Sequence, residues 1–230
     1  MPGTLILVRH GKSLWNKVNR FTGWIDVPLA DEGWAEAEKA GELLKDYEFD
    51  VAYSSHLQRA LITLHLILHK NQSGKTPIFF PAEGTVPRQE YDLVEGEFPV
   101  YVYEVALAER HYGNLQGKYK HEVEAEVGTE QFKTWRRGYD TPPPHGESLK
   151  GTLERAVPYF KAEIIPRLKN GETVLVAAHG NSLRAVTKYL EDISDEEIPG
   201  LEIPTGAPII YELEFDGETP NILRKEVKEV

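Results

Sequence analysis

The stretch TLILVRHGKSLWN, residues 4–16, places five apolar or β-branched residues directly before an arginine, a histidine and a glycine. A short apolar run that ends at a glycine turn predicts a buried strand, here residues 4–8. The same arrangement recurs in TVLVAAHGN, residues 173–181, where another apolar run leads into a histidine and a glycine. Two distant parts of the chain are thus predicted to end a buried strand on a His-Gly pair.

Strands and helices alternate along much of the chain. DEGWAEAEKAGELLKDY, residues 31–47, combines helix-favouring residues with acids in its first turn, which predicts a helix. The other predicted elements are strands at 50–54, 173–178 and 209–215 and helices at 56–70, 181–192 and about 148–168, the last with Pro158 in its interior. This alternation predicts an α/β fold, a three-layer α/β/α sandwich with a mainly parallel central sheet.

Residues 71–105 interrupt the alternation with several prolines and glycines and two β-rich patches, PIFF and PVYVYEV. We predict an inserted hairpin or strand pair in this segment. Since no linker composition divides the chain, we expect one domain over residues 1–230 that contains the variable segment at about 71–105.

Composition excludes several classes of function. The chain has 230 residues, enough for a substantial core, and no cysteine, which removes disulfides, thiolate chemistry and cysteine-ligated metals. Its formal net charge of -11 argues against nucleic acid as a partner, because phosphate backbones are bound by surplus positive surface. MPGTLILV has neither a basic leader nor an apolar run long enough for a membrane span, so we expect no membrane association and a cytoplasmic location.

The two histidines are candidate catalytic residues. In open α/β sheets the loops at the carboxyl edge converge on one crevice, so His10 and His179 are predicted to face each other. One Arg-His-Gly tripeptide is a weak signal, whereas two matching pairs at equivalent strand ends are a stronger one. A neutral imidazole is a nucleophile, and nearby cations keep it neutral by disfavouring the protonated form. Phosphoryl transfer, which depends on positioning and charge neutralisation, is the chemistry that such a pair suits.

Candidate cations for that chemistry occur in short polar contexts. Arg59 lies in SSHLQRA, Arg110 and Lys120 in AERHYGNLQGKYK, and Arg136 and Arg137 in TWRRGYD. Taken separately, each has an ordinary interpretation as a solvated surface residue.

Taken together, the motifs resemble a known family. RHG with Ser13 and Asn16, then RFTGW, ERHYG, WRRGYD, HGNSLR and IPTGAP, are similar to the 2,3-bisphosphoglycerate-dependent phosphoglycerate mutases of the histidine phosphatase superfamily. The similarity runs from about residue 5 to residue 213 and is interrupted at 71–105. The fold that it implies is the same three-layer sandwich.

The resemblance implies a role for each matching residue. His10 resembles the phosphorylated nucleophile, His179 the second histidine that neutralises the transferring phosphoryl group, and Glu109 the acid/base. Arg9 and Arg59 match the central phosphate clamp, supported by Ser13, Asn16, Gly180 and Asn181. The positions that match those holding the glycerate body, its carboxylate or the second phosphate are Thr22, Gly23, Arg110, His111, Tyr112, Lys120, Arg136 and Arg137.

The resemblance also implies the reaction. We expect a mutase that interconverts 3-phosphoglycerate and 2-phosphoglycerate in glycolysis and gluconeogenesis, with 2,3-bisphosphoglycerate as the primer and no metal. Two alternatives stay open: a phosphomonoesterase that passes the phosphoryl group to water, and a catalytically weak scaffold that binds phosphoglycerates. The expected partners are small phosphoglycerates, and assembly into a homo-oligomer is left open.

Three features depart from the usual pattern of the family. Lys12 stands where a glutamate often follows the RHG motif, and we expect it to favour anion binding slightly. The loop between Pro144 and Glu147 is short, and the chain ends at NILRKEVKEV soon after the last predicted strand. A less covered pocket would admit water more easily and raise phosphatase leakage.

Overall fold

The computed structural model describes residues 1–80, 92–103 and 105–230, with the backbone alone at 103. The strands are β1 Gly3–Arg9, β2 Val51–Ser55, β3 Thr76–Phe80, β4 Glu97–Tyr103, β5 Thr173–Ala178, β6 Pro208–Asp216 and β7 Thr219–Val227. The helices are α1 Leu14–Lys17, α2 Asp31–Leu44, α3 Gln58–Lys70, α4 Lys120–Val127, α5 Thr129–Arg137, α6 Leu149–Tyr159, α7 Ile165–Lys169 and α8 Gly180–Glu191. A π-helical turn, Phe160–Ile164, joins α6 to α7.

The described strands form a seven-stranded sheet in the order β3-β4-β2-β5-β1-β6-β7. The pairs among β1 to β5 are parallel, and β6 runs antiparallel to both β1 and β7. Strand β1 pairs with β5 so that Arg9 lies opposite Ala178. Because the two strands end at the same level, the residues that follow them emerge side by side at one edge of the sheet.

Helices cover both faces of the sheet. On one face, Leu5 and Leu7 of β1 pack in a fully buried cluster with Phe160 of the π turn and Leu183 and Val186 of α8. On the other face, the alternate β1 residues Ile6 and Val8 pack with side chains of α2 and α3, namely Ala40, Leu44, Leu64 and Ile67. Each such Leu or Ile side chain contributes about 1.5–3 kcal/mol by leaving water. The predicted α/β/α sandwich with a mainly parallel sheet is confirmed.

The sequence left a hairpin or a strand pair open for the segment at 71–105, and the structure decides between them. The segment contains a strand pair, and β3 and β4 run parallel to each other, so they are not a hairpin. Strand β4 also pairs with β2, which makes the two strands an extension of the central sheet. Phe98 and Val100 of β4 are buried in the core, and this fits a strand with neighbours on both sides. Positions 81–91 and 104 of the predicted insert lie outside the described residues.

Two other regions contain more regular structure than predicted. NILRKEV belongs to a further strand, β7, which pairs antiparallel with β6. The motifs that carry Lys120 and Arg136 form α4 and α5, which pack through Val123 and Phe132 onto Phe21 and Leu115. This satellite cluster covers the carboxyl edge of the sheet. In the described part of the chain no helix is both long and apolar enough to cross a membrane.

Candidate active site

The two predicted histidines meet at the carboxyl edge of the sheet. His10 follows β1 and His179 follows β5, and their ring centroids lie 5.1 Å apart with the planes inclined by 60°. Both side chains are almost completely buried. The backbone after His10 packs closely on α2, since a Cβ on Gly11 would lie 2.1 Å from the carbonyl oxygen of Gly33. This packing holds His10 in place. The parallel register of β1 and β5 therefore fixes the distance between the two imidazoles.

Hydrogen bonding fixes the tautomer of His10. Its Nδ1 lies 2.7 Å from the carbonyl oxygen of Gly11, and a carbonyl only accepts, so Nδ1 carries the proton. The lone pair of the neutral ring is then on Nε2. Burial, followed by the charges of Arg59 and Arg9, lowers the pKa of His10 well below its ordinary value of 6.5. Hence the ring is neutral near pH 7 and its Nε2 can act as a nucleophile.

His179 is held by a residue that the sequence analysis did not identify. Its Nε2 lies 2.6 Å from Oγ of Ser55, the last residue of β2, while its Nδ1 is buried with no hydrogen-bond partner among the described residues. Burial, then Arg59, His10 and Arg9, lower the pKa of His179 well below 6.5. The unpartnered Nδ1 is a hydrogen-bonding atom left over for a ligand.

Two guanidinium groups flank the histidines. Arg9, at the end of β1, donates from Nη1 to the carbonyl oxygen of Ile203 at 2.7 Å. Arg59, in the first turn of α3, donates to the carbonyl oxygens of Gly23 at 2.7 Å and Ile25 at 3.0 Å. Burial lowers the pKa of Arg59 to about 10, so it stays charged at neutral pH. The Nε atoms of both arginines are buried without a partner in the described chain, and such donors suit the oxygens of an anion.

Glu109 lies beside the histidines as a buried carboxylate. Its Oε1 accepts from the backbone N–H of Arg110 at 2.7 Å, from Nδ2 of Asn181 at 2.7 Å and from the backbone N–H of Asn181 at 3.2 Å. Burial by itself would raise the pKa of Glu109, but these hydrogen bonds and the charges of Arg9 and Arg59 outweigh it and hold the pKa below its ordinary value. The carboxyl group is therefore ionised in the free protein and can accept a proton.

A cavity of about 180 Å³ opens from these groups towards solvent. The predicted site residues that line it are Arg9, His10, Asn16, Thr22, Gly23, Arg59, Glu109, Tyr112, Lys120, Arg136, Arg137, Gly180 and Asn181. Lys120, Arg136 and Arg137 form an outer cationic wall on α4 and α5. Burial, then the charge of Arg136, lowers the pKa of Lys120. The site thus has a deep cationic end at His10 and a second cationic region nearer the mouth.

Four predicted site residues lie behind the wall of the cavity. The ring of His179 packs against the ring of His10. Ser13 caps α1 and donates from Oγ to Oδ1 of Asn16 at 2.9 Å. Arg110 is completely buried, with its guanidinium carbon 4.6 Å from the ring centre of Tyr112. His111 lies edge-on to Trp24. Lys12, from which we expected a contribution to anion binding, is not among the residues that line the cavity.

The structure adds lining residues that the sequence analysis did not identify, namely Arg20, Phe21, Arg184, Glu202 and Ile203. Arg184 is the most informative of them. It donates to Oδ1 of Asn181 at 3.2 Å, and burial lowers its pKa to about 10. Arg20 and Arg184 stand within RFTGW and HGNSLR, so the signal was present in motifs already identified.

The donor set of the deep end could also be considered for a metal ion. One nitrogen each of His10 and His179 and one carboxylate oxygen of Glu109 lie within 4.8 Å of one another. The charges that lower the histidine pKa values, those of Arg9 and Arg59, also oppose a divalent cation at this point. The arrangement suits an anion better than a cation.

Comparisons with known proteins agree on the family and the fold. A model of the histidine phosphatase superfamily (branch 1) matches residues 5–79 and 95–228. A 2,3-bisphosphoglycerate-dependent phosphoglycerate mutase of Methanococcus vannielii is 48% identical over 93% of this chain and 92% of its own. A protein of the same name from Parvibaculum lavamentivorans is 45% identical over 99% and 97%. Among solved structures, mycobacterial hydrolase 1 superposes with a TM-score of 0.76 at 21% identity, covering 99% of each chain, which shows a shared fold.

Proposed function

The chain belongs to the histidine phosphatase superfamily, branch 1, and on that basis we propose that it is a 2,3-bisphosphoglycerate-dependent phosphoglycerate mutase. It interconverts 3-phosphoglycerate and 2-phosphoglycerate, a step of glycolysis and gluconeogenesis. The observation that carries this proposal is the pair of neutral imidazoles, 5.1 Å apart, of which His10 lines a cavity that two separate sets of cations also line.

The deep end provides the transfer chemistry. Nε2 of His10 carries the phosphoryl group, and a hydroxyl of the bound monophosphoglycerate attacks the phosphorus. The N–P bond breaks, an O–P bond forms, and the hydroxyl proton passes to Glu109, which is ionised in the free protein. The reverse step at the other phosphate forms a new N–P bond and breaks its O–P bond, while Glu109 returns the proton to the oxygen that is released. The net result is the isomer.

Electrostatics favour the transferring group at this position. The unpartnered donors of Arg9 and Arg59 and the free Nδ1 of His179 are already buried around His10, so little reorganisation accompanies the reaction. An Nδ1 that carries a proton donates to a phosphoryl oxygen, while Nε2 accepts from Ser55. Charge that develops on the phosphoryl oxygens is then met by fixed positive groups.

The outer wall favours a mutase over the alternative phosphatase. A substrate with a carboxylate and a second phosphate needs cations beyond the reacting centre, and Lys120, Arg136 and Arg137 offer three on one side of the cavity. Hydrolysis of a simple phosphomonoester has no use for them. The same unreacting contacts hold bisphosphoglycerate, and the residues present fit its anionic groups, so we propose that it primes the enzyme by phosphorylating His10.

The test is turnover of 3-phosphoglycerate with and without added 2,3-bisphosphoglycerate. We expect 2-phosphoglycerate to form and the rate to rise with primer, while intact mass shows one acid-labile phosphate on the chain. Release of inorganic phosphate without 2-phosphoglycerate would support the phosphatase. Binding of phosphoglycerate with neither product would support the scaffold.

The remaining expectations belong to the same proposal. We propose a cytoplasmic location, where the glycolytic substrates of the mutase relatives occur, and chemistry without a metal ion. We also propose that residues 1–230 form one domain. Light scattering during size-exclusion chromatography decides between a monomer and a homo-oligomer.

A further inference from the structure

Arg155, on α6, makes an unusual set of contacts with the segment that carries Glu109. Its guanidinium donates to four backbone carbonyl oxygens, those of Val105, Ala106 at 3.1 Å, Ala108 at 3.0 Å and Glu109 at 3.0 Å. It also binds both carboxylate oxygens of Glu147, at 2.7 Å and 3.0 Å. The two side chains are only 15% and 18% exposed, so water competes weakly for these bonds.

Glu147 holds the other side of the same segment. Its Oε2 accepts from the backbone N–H of His111 at 3.2 Å and from Oγ1 of Thr152 at 3.1 Å. Its own backbone N–H donates to the carbonyl oxygen of His111 at 2.7 Å. Arg155 and Glu147 together therefore attach the backbone on both sides of Glu109 to the start of α6.

The segment at 105–112 needs such support because it has no regular backbone hydrogen bonding of the kind found in a helix or a strand. Between β4 and the 3₁₀ turn at Gly113–Leu115, residues 105–112 form neither strand nor helix. Its position sets the active-site carboxylate directly, because Oε1 of Glu109 accepts the N–H of the next residue, Arg110. A shift of this backbone would move Glu109 away from His10 and from Nδ2 of Asn181.

We propose that Arg155, oriented by Glu147, is a positioning residue for Glu109, so that the pair supports proton transfer without touching the substrate. The inference rests on the proposed function, because it assigns Glu109 the proton-transfer role. A lysine could not replace Arg155, since an ammonium group has three N–H donors and cannot bind four carbonyl oxygens and a carboxylate. The charges that lower the pKa of Glu109 are those of Arg9 and Arg59, and Arg155 is paired with Glu147, so the effect of Arg155 on Glu109 acts through position.

The experiment compares Arg155→Met, Arg155→Lys and Glu147→Gln with the unmodified chain and with Glu109→Gln. The matched control is Arg167→Met, which removes an arginine that pairs with Glu172 at the opposite edge of the sheet. General acid–base catalysis contributes about 10²–10⁴-fold, so we expect Arg155→Met to lower kcat by about 10–10²-fold. We expect KM to change by less than about threefold, Arg155→Lys to restore little of kcat, and Glu147→Gln to lower kcat less than Arg155→Met does.

A double variant separates positioning from a structural role. If Arg155 acts through Glu109, adding Arg155→Met to Glu109→Gln should lower kcat no further, within about twofold. A further loss as large as that of Arg155→Met alone would overturn the proposal, as would an equal loss of kcat in Arg167→Met. Arg155→Lys and Glu147→Gln both keep a polar side chain and can be used if Arg155→Met does not fold. An unchanged kcat in both of these variants would also overturn the proposal.

The proposed function is tested separately, by the activity of the unmodified chain on 3-phosphoglycerate. If the unmodified chain does not isomerise 3-phosphoglycerate, the mutase proposal fails by itself. The same variant comparison is then made on hydrolysis of β-glycerophosphate, an alkyl phosphomonoester whose leaving oxygen also needs a proton. A selective loss of that activity would support positioning by Arg155, and no loss would overturn it.

Discussion

The two ends of the cavity are built from different kinds of structure. Its deep end is lined by His10, Arg9 and Arg59, with His179 packed behind His10, and each of these residues lies at the end of a central strand or in the first turn of a helix. Its outer wall comes from α4, α5 and the neighbouring segments, which pack on a small satellite cluster and not on the sheet. The two histidines and the inner arginines therefore lie on elements of the central sheet and its helices, whereas Lys120, Arg136 and Arg137 lie on two helices with a hydrophobic cluster of their own.

The largest effect is expected from removing the nucleophile at the deep end. His10→Ala should lower mutase activity by at least about 10⁴-fold, because no other group carries the phosphoryl group between the two substrate oxygens. A coupled assay of 2-phosphoglycerate and the intact mass after incubation with 2,3-bisphosphoglycerate measure this. His69→Ala, an exposed position in the last turn of α3, is the matched control and should behave as the unmodified chain. An equal phosphate adduct on His10→Ala would contradict the mechanism.

The outer wall should affect the mutase selectively. Arg136→Ala with Arg137→Ala removes two charge-assisted contacts of about 1.5–3 kcal/mol each, so kcat/KM for 3-phosphoglycerate should fall by about 10²-fold or more. Hydrolysis of p-nitrophenyl phosphate, which lacks the second anion, should change by less than about threefold. Lys133→Ala, an exposed residue of α5, controls for loss of charge on the helix. Equal losses on both substrates would remove the distinction between the two ends of the cavity.

The sequence predicted residues with local signals and missed those whose contacts depend on the tertiary structure. His10 and His179 could be predicted because each follows a short apolar run and precedes a glycine, and these signals are local in the sequence. The parallel sheet that brings the histidines together could be predicted from the alternation of strands and helices. Ser55 was not, since its bond to His179 depends on the pairing of β2 with β5. Arg155 was not either, because nothing near it in the sequence indicates four carbonyl oxygens from another segment. The sequence left a hairpin and a strand pair open for the segment at 71–105, because apolar patches indicate a strand and not the strand with which it pairs.

Stability should depend on pH through the deep end and not through the outer wall. Burial, followed by Arg59, lowers the pKa of His10 and His179 below the 6.5 of the unfolded chain. As pH falls from 7 through 6.5, the unfolded chain takes up protons that the folded chain does not, so the free energy of unfolding decreases. The slope is at most about 1.4 kcal/mol per pH unit for each imidazole. Urea unfolding between pH 7 and 5.5 measures this. The free energy of unfolding should change less with pH in the double variant His10→Gln with His179→Gln than in the unmodified chain.

The smallest effect is expected from removing metal ions. Nitrogen atoms of both histidines and an oxygen of Glu109 lie within 4.8 Å of one another, close enough to ligate one ion, yet two guanidinium charges surround the same point. Those charges do at the deep end what a divalent cation does in other phosphoryl-transfer enzymes, namely neutralise the phosphoryl oxygens. EDTA should therefore leave kcat for 3-phosphoglycerate unchanged within error. Loss of activity that Mg²⁺, Mn²⁺ or Zn²⁺ restores would show that the arginines do not suffice, and that the deep end of the cavity binds a cation after all.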